Sequence, residues 1–348
     1  MSNEIFESAF NAAVNEFGAA VDKEGNHLRL NYFGVSSKGV RLEHMFSTQE
    51  PVDLRSVSKP VLSMTLGALI KSKQSVGKKP LSLNSRVAPL LDRHFASNGF
   101  RKMWKDVEIR HLISNTIGHE NGFLFRKDLQ SVSEEDYLGY ALGQPIVHKP
   151  GSHFSYSNVG PFLLSVIIQD HLGASLHEIA SDLVLRPLGI EASWRNYGQY
   201  TAGCTGLSMT GEDLLTFGEM LLAEGSRGSR LNIVDHDWVV GATSLQVRTP
   251  GMFDRLRVFP KFGYGYGFWV CENGSYYCDG TDGQYLIVVP SASLVMVTTG
   301  MQPDMKPITR CMAPLLVQTN SKPENVGPFG SRLNSLQRII SKTARSTR

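Results

Sequence analysis

Ser56 and Lys59 stand three residues apart in the sequence Ser-Val-Ser-Lys. Positions i and i+3 of a helix face the same way, so the Lys59 ammonium can lie beside the Ser56 hydroxyl. A serine hydroxyl is a poor nucleophile until a neighbouring group takes its proton, and a lysine at this spacing can take it. A helix N-terminus also favours negative charge on the oxygen. The pair therefore predicts nucleophilic attack by serine.

The same spacing occurs again at Ser75 and Lys78, among Lys, Gly and Pro residues that indicate a loop. Ser56, by contrast, opens a long apolar stretch. Pro60 falls near the start of that stretch, where a missing N–H costs little. We therefore predict a helix over residues 55–71 and assign the chemistry to Ser56.

Tyr156-Ser-Asn158 is the only Tyr-x-Asn sequence in the chain. It follows a Pro-Gly turn signal and precedes an apolar stretch at 160–172 that indicates a helix. Close to Lys59, the Tyr156 phenol would have a lowered pKa and could act as a general base. Asn158 could hold Lys59 or a substrate carbonyl. The tripeptide is also typical of a tyrosine packed over a turn, with Asn158 capping the helix.

A third segment, residues 278–284 (Cys-Asp-Gly-Thr-Asp-Gly-Gln), leads into a strand-like run. Backbone N–H groups near glycines at a strand edge can supply half of an oxyanion hole, with the N–H of Ser56 as the other half. The candidate oxyanion or substrate-binding residues here are Asp279, Gly280, Thr281 and Asp282. The alternative is an ordinary β-hairpin turn.

The periodicity of apolar residues places these segments on predicted elements. Predicted helices cover residues 4–17, 55–71, 106–114, 160–172, 211–224 and 306–318, with Gly225 as a stop signal. Predicted strands cover residues 27–33, 40–46, 263–270, 283–290 and 294–299. Strands at both ends around a helical middle predict an α/β (α+β) fold with one sheet built from the two termini.

The predicted organisation has three parts. Residues 1–55 and 262–320 form an α/β subdomain. Residues 56–261 form a mainly helical subdomain, with the nucleophile helix at the interface. Residues 321–348 form a basic tail, either disordered or an amphipathic helix.

Composition excludes several classes of protein. Hydrophobic residues make up 41% and charged residues 19%, and the formal net charge of +3 does not favour nucleic-acid binding. No apolar run approaches the about 20 residues of a membrane span. The N-terminus lacks a basic region followed by an apolar stretch, which argues against a secretory signal. We expect a cytoplasmic protein without nucleic-acid or membrane partners, and the oligomeric state stays open.

Metal and disulfide chemistry are not predicted. The four cysteines lack C-x-x-C spacing and are expected to be reduced, partly buried thiols. The histidines His111, His119, His148 and His153 lie on separate segments without ligand spacing. We therefore expect no metal and no cofactor.

The order of these segments resembles the class C β-lactamases and penicillin-binding-protein-like serine hydrolases, including the 6-aminohexanoate-dimer hydrolase and esterase branches. LRSVSKPVLSMTLGALI resembles the nucleophile helix of that family, and KPGSHFSYSNVGPFLLSVII resembles its Tyr-Ser-Asn block. VEIRHLISNTIG, LVLRPLGI and GLSMTGEDLLTFGEMLLAEG resemble further family segments. The similar blocks run from about residue 53 to residue 297.

The resemblance implies a β-lactamase/transpeptidase-like fold without a metal. It implies that Ser56 is the acylated nucleophile and Lys59 its proton partner. Tyr156 would be the base that activates Ser56 and later a water molecule. Asn158 matches the third position of its motif.

One departure concerns the family's Lys-Thr-Gly motif, which is matched here by Cys278-Asp279-Gly280. The lysine that attracts a substrate carboxylate is missing. Asp279 would repel a carboxylate and could receive a cationic or amine-bearing substrate. Asp282 adds a second carboxylate where relatives often carry a small residue, although exposed turns favour aspartate anyway. β-Lactamase and DD-peptidase activities are therefore not expected.

The sequence thus predicts a serine hydrolase that cleaves an amide or ester of a small molecule through acyl-Ser56. Two alternatives stay open. The acyl group could pass to an amine or alcohol, as in a biosynthetic acyltransferase. The scaffold could also serve as a non-catalytic binding protein, because its third motif is altered.

Overall fold

The computed structural model describes residues 2–74, 79–96, 98–228, 231–249 and 258–319. The second Ser-x-x-Lys pair, Ser75 and Lys78, lies outside the described residues. So does the basic tail at 321–348. Both expectations therefore stay predictions.

Helices fill the middle of the chain and flank its ends. They are α1 (Asn3–Ala19), α2 (Ser58–Ser72), α3 (Val87–Leu90), α4 (Asn98–Met103), α5 (Ile109–Ile113), α6 (Arg126–Leu129), α7 (Tyr137–Leu142), α8 (Val159–Leu172), α9 (Leu176–Ala180), α10 (Arg186–Leu188), α11 (Gly211–Leu222), α12 (His236–Thr243), α13 (Lys306–Cys311) and α14 (Ala313–Thr319). Short 3₁₀ turns occur at Arg55–Val57, Asp92–His94, Glu134–Asp136 and Pro290–Ala292, and a π-helical turn at Ser181–Leu185.

The strands are β1 (Leu30–Ser37), β2 (Val40–Met45), β3 (Val52–Asp53), β4 (Ser193–Trp194), β5 (Asn196–Tyr197), β6 (Tyr200–Thr201), β7 (Leu207–Met209), β8 (Ser226–Arg227), β9 (Leu231–Asn232), β10 (Val247–Arg248), β11 (Gly263–Tyr264), β12 (Trp269–Val270), β13 (Tyr276–Gly280), β14 (Gln284–Val289) and β15 (Leu294–Gly300). The main sheet has the order β10-β11-β12-β13-β14-β15-β1-β2, and all its pairs are antiparallel. The N-terminal hairpin β1–β2 therefore pairs with the last strand. A smaller sheet, β3-β7-β4, lies beside the start of α2.

Two apolar cores involve this sheet. In one, α1 packs Phe10 and Phe17 against Phe33 of β1, and α13 and α14 pack on α1. In the other, α11 lies against β1, β14 and β15, and the core continues through α2, α5 and α8. α11 begins with a capping box, in which Asp213 N–H donates to the Thr210 hydroxyl at 3.0 Å. The cap fixes where the helix starts against the sheet.

This arrangement confirms the predicted α/β (α+β) fold with an antiparallel sheet from both ends of the chain. The subdomain boundaries after residues 55 and 261 stay a prediction. Strand β10 belongs to the main sheet, although it lies within the segment assigned to the helical subdomain.

Three predicted elements differ from the structure. The single strand predicted at 263–270 is wrong, because a turn separates β11 from β12. In that turn Gly265 N–H donates to Phe268 O at 2.8 Å, and Gly267 has a φ of +90°, which glycine adopts without strain. The helix predicted at 306–318 is broken between α13 and α14. The strand predicted at 27–33 begins later, at Leu30, and continues to Ser37 because it pairs on both sides.

Within the described residues, no single helix is long and apolar enough to cross a membrane. The two helical segments Val159–Leu172 and Leu176–Leu188 meet the length and composition criteria for a membrane span only when they are taken together, and they are bent by 84°.

Helix α8 packs its first turn directly against the backbone of α5. A Cβ added at Gly160 would lie far inside contact distance of the Leu112 carbonyl oxygen. We expect Gly160→Ala to lower the free energy of unfolding by about 1–3 kcal/mol, because α8 must move away from α5. Chemical denaturation measures this change.

Gly139 in α7 supplies a matched control, because a Cβ there would meet nothing within 4 Å. Gly139→Ala should raise the free energy of unfolding by up to about 1 kcal/mol through helix propensity. Equal effects at the two positions would contradict the close α5–α8 contact.

Candidate active site

Ser56 lies in the 3₁₀ turn Arg55–Val57, which leads directly into α2. The α-helix therefore begins at Ser58, three residues later than the sequence predicts. Ser58 fixes the turn: its hydroxyl donates to Arg55 O at 2.6 Å and accepts the Leu207 N–H at 3.1 Å. The turn that carries Ser56 is thereby tied to strand β7.

The chain enters this turn through Arg55 in a left-handed conformation, with a φ of +54°. This conformation costs about 1–2 kcal/mol for a residue with a side chain. Asp53 stabilises it, since its carboxylate accepts the Arg55 N–H at 2.8 Å and the guanidinium at 2.7 Å. Strain held in this way fixes the direction of Ser56.

Lys59 is buried, and its Nζ has three acceptors. It donates to Ser56 Oγ, Asn158 Oδ1 and the carbonyl oxygen of Cys204, each at 2.9 Å. Only 2% of the residue is exposed, and burial lowers its pKa from 10.5 to about 8. At pH 7 about a tenth of the amines are therefore neutral, far more than for an unperturbed lysine. The predicted Ser56–Lys59 contact exists, and the lysine is poised to exchange a proton.

Tyr156 lies beside this pair. The Lys59 Nζ is 5.1 Å from the centre of the Tyr156 ring, which stacks on Trp269 at 5.1 Å. Burial, followed by the charge of Asp279, raises the pKa of Tyr156 above its usual value, while a hydrogen bond with Ser56 acts in the opposite direction. The expectation of a lowered pKa is therefore wrong. At neutral pH the phenol is protonated and can donate a proton.

The loop that carries Tyr156 is held by Asn115. Ser155 N–H donates to Asn115 O at 3.0 Å, and Ser157 N–H donates to Asn115 Oδ1 at 3.1 Å. Asn158 Nδ2 donates to Leu124 O at 3.0 Å. Asn158 stands at the cap position of α8 without a capping bond from its side chain, which instead receives Lys59. The capping alternative is therefore wrong.

The third segment is a hairpin turn between β13 and β14, and it reaches the nucleophile. A Cβ at Gly280 would overlap the Leu54 carbonyl oxygen and lie 3.0 Å from Arg55 Cβ. Only glycine allows this approach, which brings Thr281 to the same cavity as Ser56. The segment is therefore a hairpin turn, and this does not exclude a backbone N–H group in it from an oxyanion hole beside Ser56.

Asp279 differs from expectation. Its carboxylate accepts the Trp269 indole N–H at 2.7 Å and pairs with Lys261 Nζ at 3.2 Å. Lys261 also lies 3.9 Å from the centre of the Trp269 ring. Asp279 is not among the residues that line the cavity beside Ser56. The expectation that Asp279 receives a substrate amine is therefore wrong, because Lys261 already provides the cation that pairs with its carboxylate.

Asp282 faces the cavity within a chain of alternating charges. Its Oδ2 lies 3.1 Å from an Arg55 nitrogen and 4.0 Å from Arg126. Arg55 in turn pairs with Asp53, which lies 3.6 Å from Arg195. The second predicted carboxylate is therefore also engaged by arginines.

Ser56 opens into a cavity of about 700 Å³. Its lining residues are Arg55, Ser56, Phe125, Arg126, Lys127, Leu129, Gln130, Glu134, Tyr137, Asn158, Arg195, Tyr197, Thr205, Thr281, Asp282, Pro303 and Met305. They include four cationic side chains and two carboxylates, so the lining is cationic on balance. Its size suits a small molecule.

The structure adds two features that the sequence interpretation missed. The Cys204 carbonyl is a Lys59 acceptor, presented by a tight turn in which Cys204 N–H donates to Ala202 O at 2.7 Å. Gly203 and Gly206, with φ values of +66° and +82°, were the available sequence signal. The second feature is the arginine set around the cavity, which carries no local motif.

Comparisons with known proteins identify the family and the fold of the chain. A family model described as beta-lactamase matches residues 10–310. An octameric penicillin-binding protein homologue from Pyrococcus abyssi is 19% identical, with a TM-score of 0.67 and coverage of 98% of this chain and 82% of that one. EstCE1, a hydrolase with promiscuous acyltransferase activity, is 16% identical, with a TM-score of 0.66 and coverage of 90% and 97%. A class C beta-lactamase mutant is 13% identical, with a TM-score of 0.67 and coverage of 91% and 99%. At these identities the structural likeness shows the fold alone, which is β-lactamase/transpeptidase-like as predicted.

The lowered pKa of Lys59 predicts how Ser56 reactivity changes with pH. The neutral amine is the form that accepts the serine proton, so reaction with a fluorophosphonate should accelerate as pH rises through about 8. Well below that pH the rate should fall about tenfold per pH unit. Mass spectrometry of samples quenched at successive times measures the rate of adduct formation.

Lys59→Met is the comparison variant, and its slow residual labelling should be nearly independent of pH between about 6 and 9. A flat profile in the wild type, or the same profile in both proteins, would contradict the assignment of the proton acceptor.

Proposed function

The chain belongs to the beta-lactamase family of serine hydrolases, and from this premise we propose that it cleaves an ester or amide of a small molecule through an acyl group on Ser56. The observation that carries the proposal is the buried Lys59 Nζ, which lies 2.9 Å from Ser56 Oγ and whose pKa is lowered to about 8. This contact places a group that can take the serine proton beside a hydroxyl that lines the cavity.

Acylation begins when Ser56 Oγ attacks the substrate carbonyl and its proton passes to neutral Lys59. The carbonyl oxygen becomes an oxyanion, for which the N–H groups of Ser56 and Thr281 are the proposed donors. The close packing of Gly280 on Leu54 supports this pairing of amides. Preorganised backbone donors stabilise the intermediate without reorganising.

Collapse of the intermediate requires a proton for the departing alcohol or amine. We assign its delivery to the Tyr156 hydroxyl, which then takes a proton directly from the Lys59 ammonium, because Ser56 Oγ is bonded to the substrate at this stage and has no proton to relay. Water then attacks the acyl group, gives its proton to the Lys59–Tyr156 pair, and releases Ser56. This differs from the expectation of a Tyr156 base, because the raised pKa keeps the phenol protonated at neutral pH, so that it carries a proton to donate and is not present as the phenolate base.

The substrate charge follows from the cavity. Arg126 and Arg195 have side chains 74% and 58% exposed, and each is only loosely paired, at 4.0 and 3.6 Å from a carboxylate. Lys127 lines the same wall. We therefore assign an anionic group to the acyl part of the substrate, in place of the amine expected from Asp279. With Cys278 in place of a motif lysine, β-lactam and D-Ala-D-Ala substrates are not proposed.

The similarity to EstCE1 favours a second candidate, in which an alcohol or amine accepts the acyl group. The cavity is lined by polar and charged side chains that could contact either acceptor. Product analysis with added alcohols and amines separates the two. Release of free acid alone with every acceptor would exclude the transferase.

Intact-mass spectrometry tests the acyl-enzyme directly. Exposure to a panel of activated esters should add the mass of one acyl group to the wild type and nothing to Ser56→Ala. Ser157→Ala is the matched control, because Ser157 lies in the same region but bonds Phe123 rather than Lys59. It should keep the adduct. No adduct with any ester would support the non-catalytic binding alternative.

A set of nearly isosteric p-nitrophenyl esters tests the substrate charge. Glutarate should have a kcat/KM about tenfold above valerate, and 5-aminovalerate should fall below both, because two arginines face the acyl group. Arg126→Gln combined with Arg195→Gln should remove the preference and leave the valerate rate nearly unchanged.

Arg186→Gln is the control, because Arg186 is an exposed arginine paired with Asp182 and does not line the cavity. It should keep the glutarate preference. A preference for 5-aminovalerate would restore the amine expectation and contradict the anionic substrate.

A further inference from the structure

Glu120, His148 and His153 come together on the surface, away from Ser56 in sequence. One ligand atom from each lies within 4.8 Å of the others. The His148 Nε2 is hydrogen-bonded to a Glu120 carboxylate oxygen. The sequence spacing of the histidines gave no such signal, so their meeting is a product of the fold. In the described part of the chain, this is the one group of three side chains with metal-ligand chemistry so arranged.

The two imidazoles are stacked, with ring centres 4.2 Å apart and an angle of 24° between planes. Histidine imidazole is the most common metal ligand in proteins, and this stacking places two imidazoles at one point on the surface. The carboxylate beside His148 adds a negative charge to the pair.

The backbone under these side chains is fixed. Val147 and His148 N–H groups both donate to Gly118 O, at 2.9 and 3.0 Å, and Gly151 N–H donates to Thr116 O at 2.8 Å. A Cβ at Gly118 would overlap the His148 carbonyl oxygen, and the φ of Gly118 is +106°. Only glycine therefore lets the segment with Glu120 approach the segment with the histidines so closely.

We propose that Glu120, His148 and His153 bind a divalent transition-metal cation, for which Zn²⁺ is the best match. Two imidazoles and a carboxylate with one open position form a known type of zinc donor set. Tetrahedral zinc bonds of about 2.0–2.1 Å place ligand atoms roughly 3.3 Å apart. The side chains of Glu120 and His148 are 63% and 37% exposed, so rotation can close the gap while the backbone stays in place.

The bound cation would stabilise the loop that carries Tyr156 from the protein surface. The segments that carry its ligands continue directly into Asn115 and into Ser155 and Ser157, which are joined by hydrogen bonds beside Tyr156. A metal that links these segments stabilises the folded state without touching the substrate. Its role is structural, and it is independent of the proposed hydrolase activity.

The buried cysteines and the buried His119 do not compete well for zinc. The cysteines Cys204, Cys271, Cys278 and Cys311 are all buried. His119 is buried edge-on between Trp104 and Phe123, and burial lowers its pKa to about 4. Residues outside the described ranges include no histidine or cysteine. Zinc binding can therefore be assigned by substituting few residues.

The experiment titrates tag-free, full-length protein with ZnCl₂ in competition with a chromogenic chelator. Wild type should bind one Zn²⁺ per chain, and His148→Ala, His153→Ala and Glu120→Gln should each weaken binding about tenfold or more. Co²⁺ should give the visible spectrum of a tetrahedral site, while Mg²⁺, which prefers oxygen ligands, should not compete. Zinc should also raise the Tm of wild type and leave that of the doubly substituted His148→Ala/His153→Ala protein unchanged.

His236→Ala is the matched control, because His236 forms an exposed pair with Glu224 at 3.0 Å without a second imidazole. It should bind zinc as tightly as wild type. The proposal is overturned if wild type binds Zn²⁺ no more tightly than the doubly substituted protein, or if His236→Ala weakens binding equally. Loss of zinc binding with Ser56 labelling retained would support the metal site as separate from the hydrolase chemistry.

Discussion

Each of the three N–H donors of a buried ammonium group needs a hydrogen-bond acceptor. In this protein the three acceptors of Lys59 come from three parts of the chain that are distant from one another. Ser56 supplies one from the turn before α2, Asn158 one from the loop before α8, and Cys204 one from a tight turn. Each acceptor is placed by its own local structure. All three are needed, because an unpaired charge in this core would cost several kcal/mol. The geometry of Ser56 and Lys59 is therefore a condition for folding as well as for the proposed chemistry.

Local strain accompanies this placement. Arg55, Asn115, Leu124 and Asp282 all have positive φ values without being glycine, and all four lie in segments that form or support the site. Each is held by neighbours: the Arg55 conformation by Asp53, and Asn115 by two N–H groups of the Tyr156 loop. Backbone conformations of this kind persist only where surrounding contacts determine them. They turn the chain sharply at points where an uninterrupted helix or strand would aim the side chains elsewhere.

Sequence reasoning singled out Ser56, Lys59, Tyr156 and Asn158 from their types and local spacing, and the structure brings these four side chains together. It also found the sheet built from both termini. It could not find the Cys204 acceptor, since a main-chain carbonyl has no residue type. It misjudged Asp279, because Lys261 reaches that carboxylate from a neighbouring segment whose pairing no local pattern reveals. The meeting of Glu120 with two histidines likewise depends on tertiary contacts around Gly118.

The environment of Lys59 also couples protonation to the unfolding equilibrium. An unfolded chain would hold this proton up to a pH near 10.5, whereas the folded protein releases it near 8. Between these values the unfolded state binds more protons, so the fold gains stability as pH rises, and below about 8 it carries the full cost of the buried charge. At neutral pH the buried charge therefore lowers the stability of the native state, at the residue to which we assign the serine proton. In the proposed reaction, the burial that prepares Lys59 to take a proton is thus also the burial that weakens the fold at a single nitrogen atom.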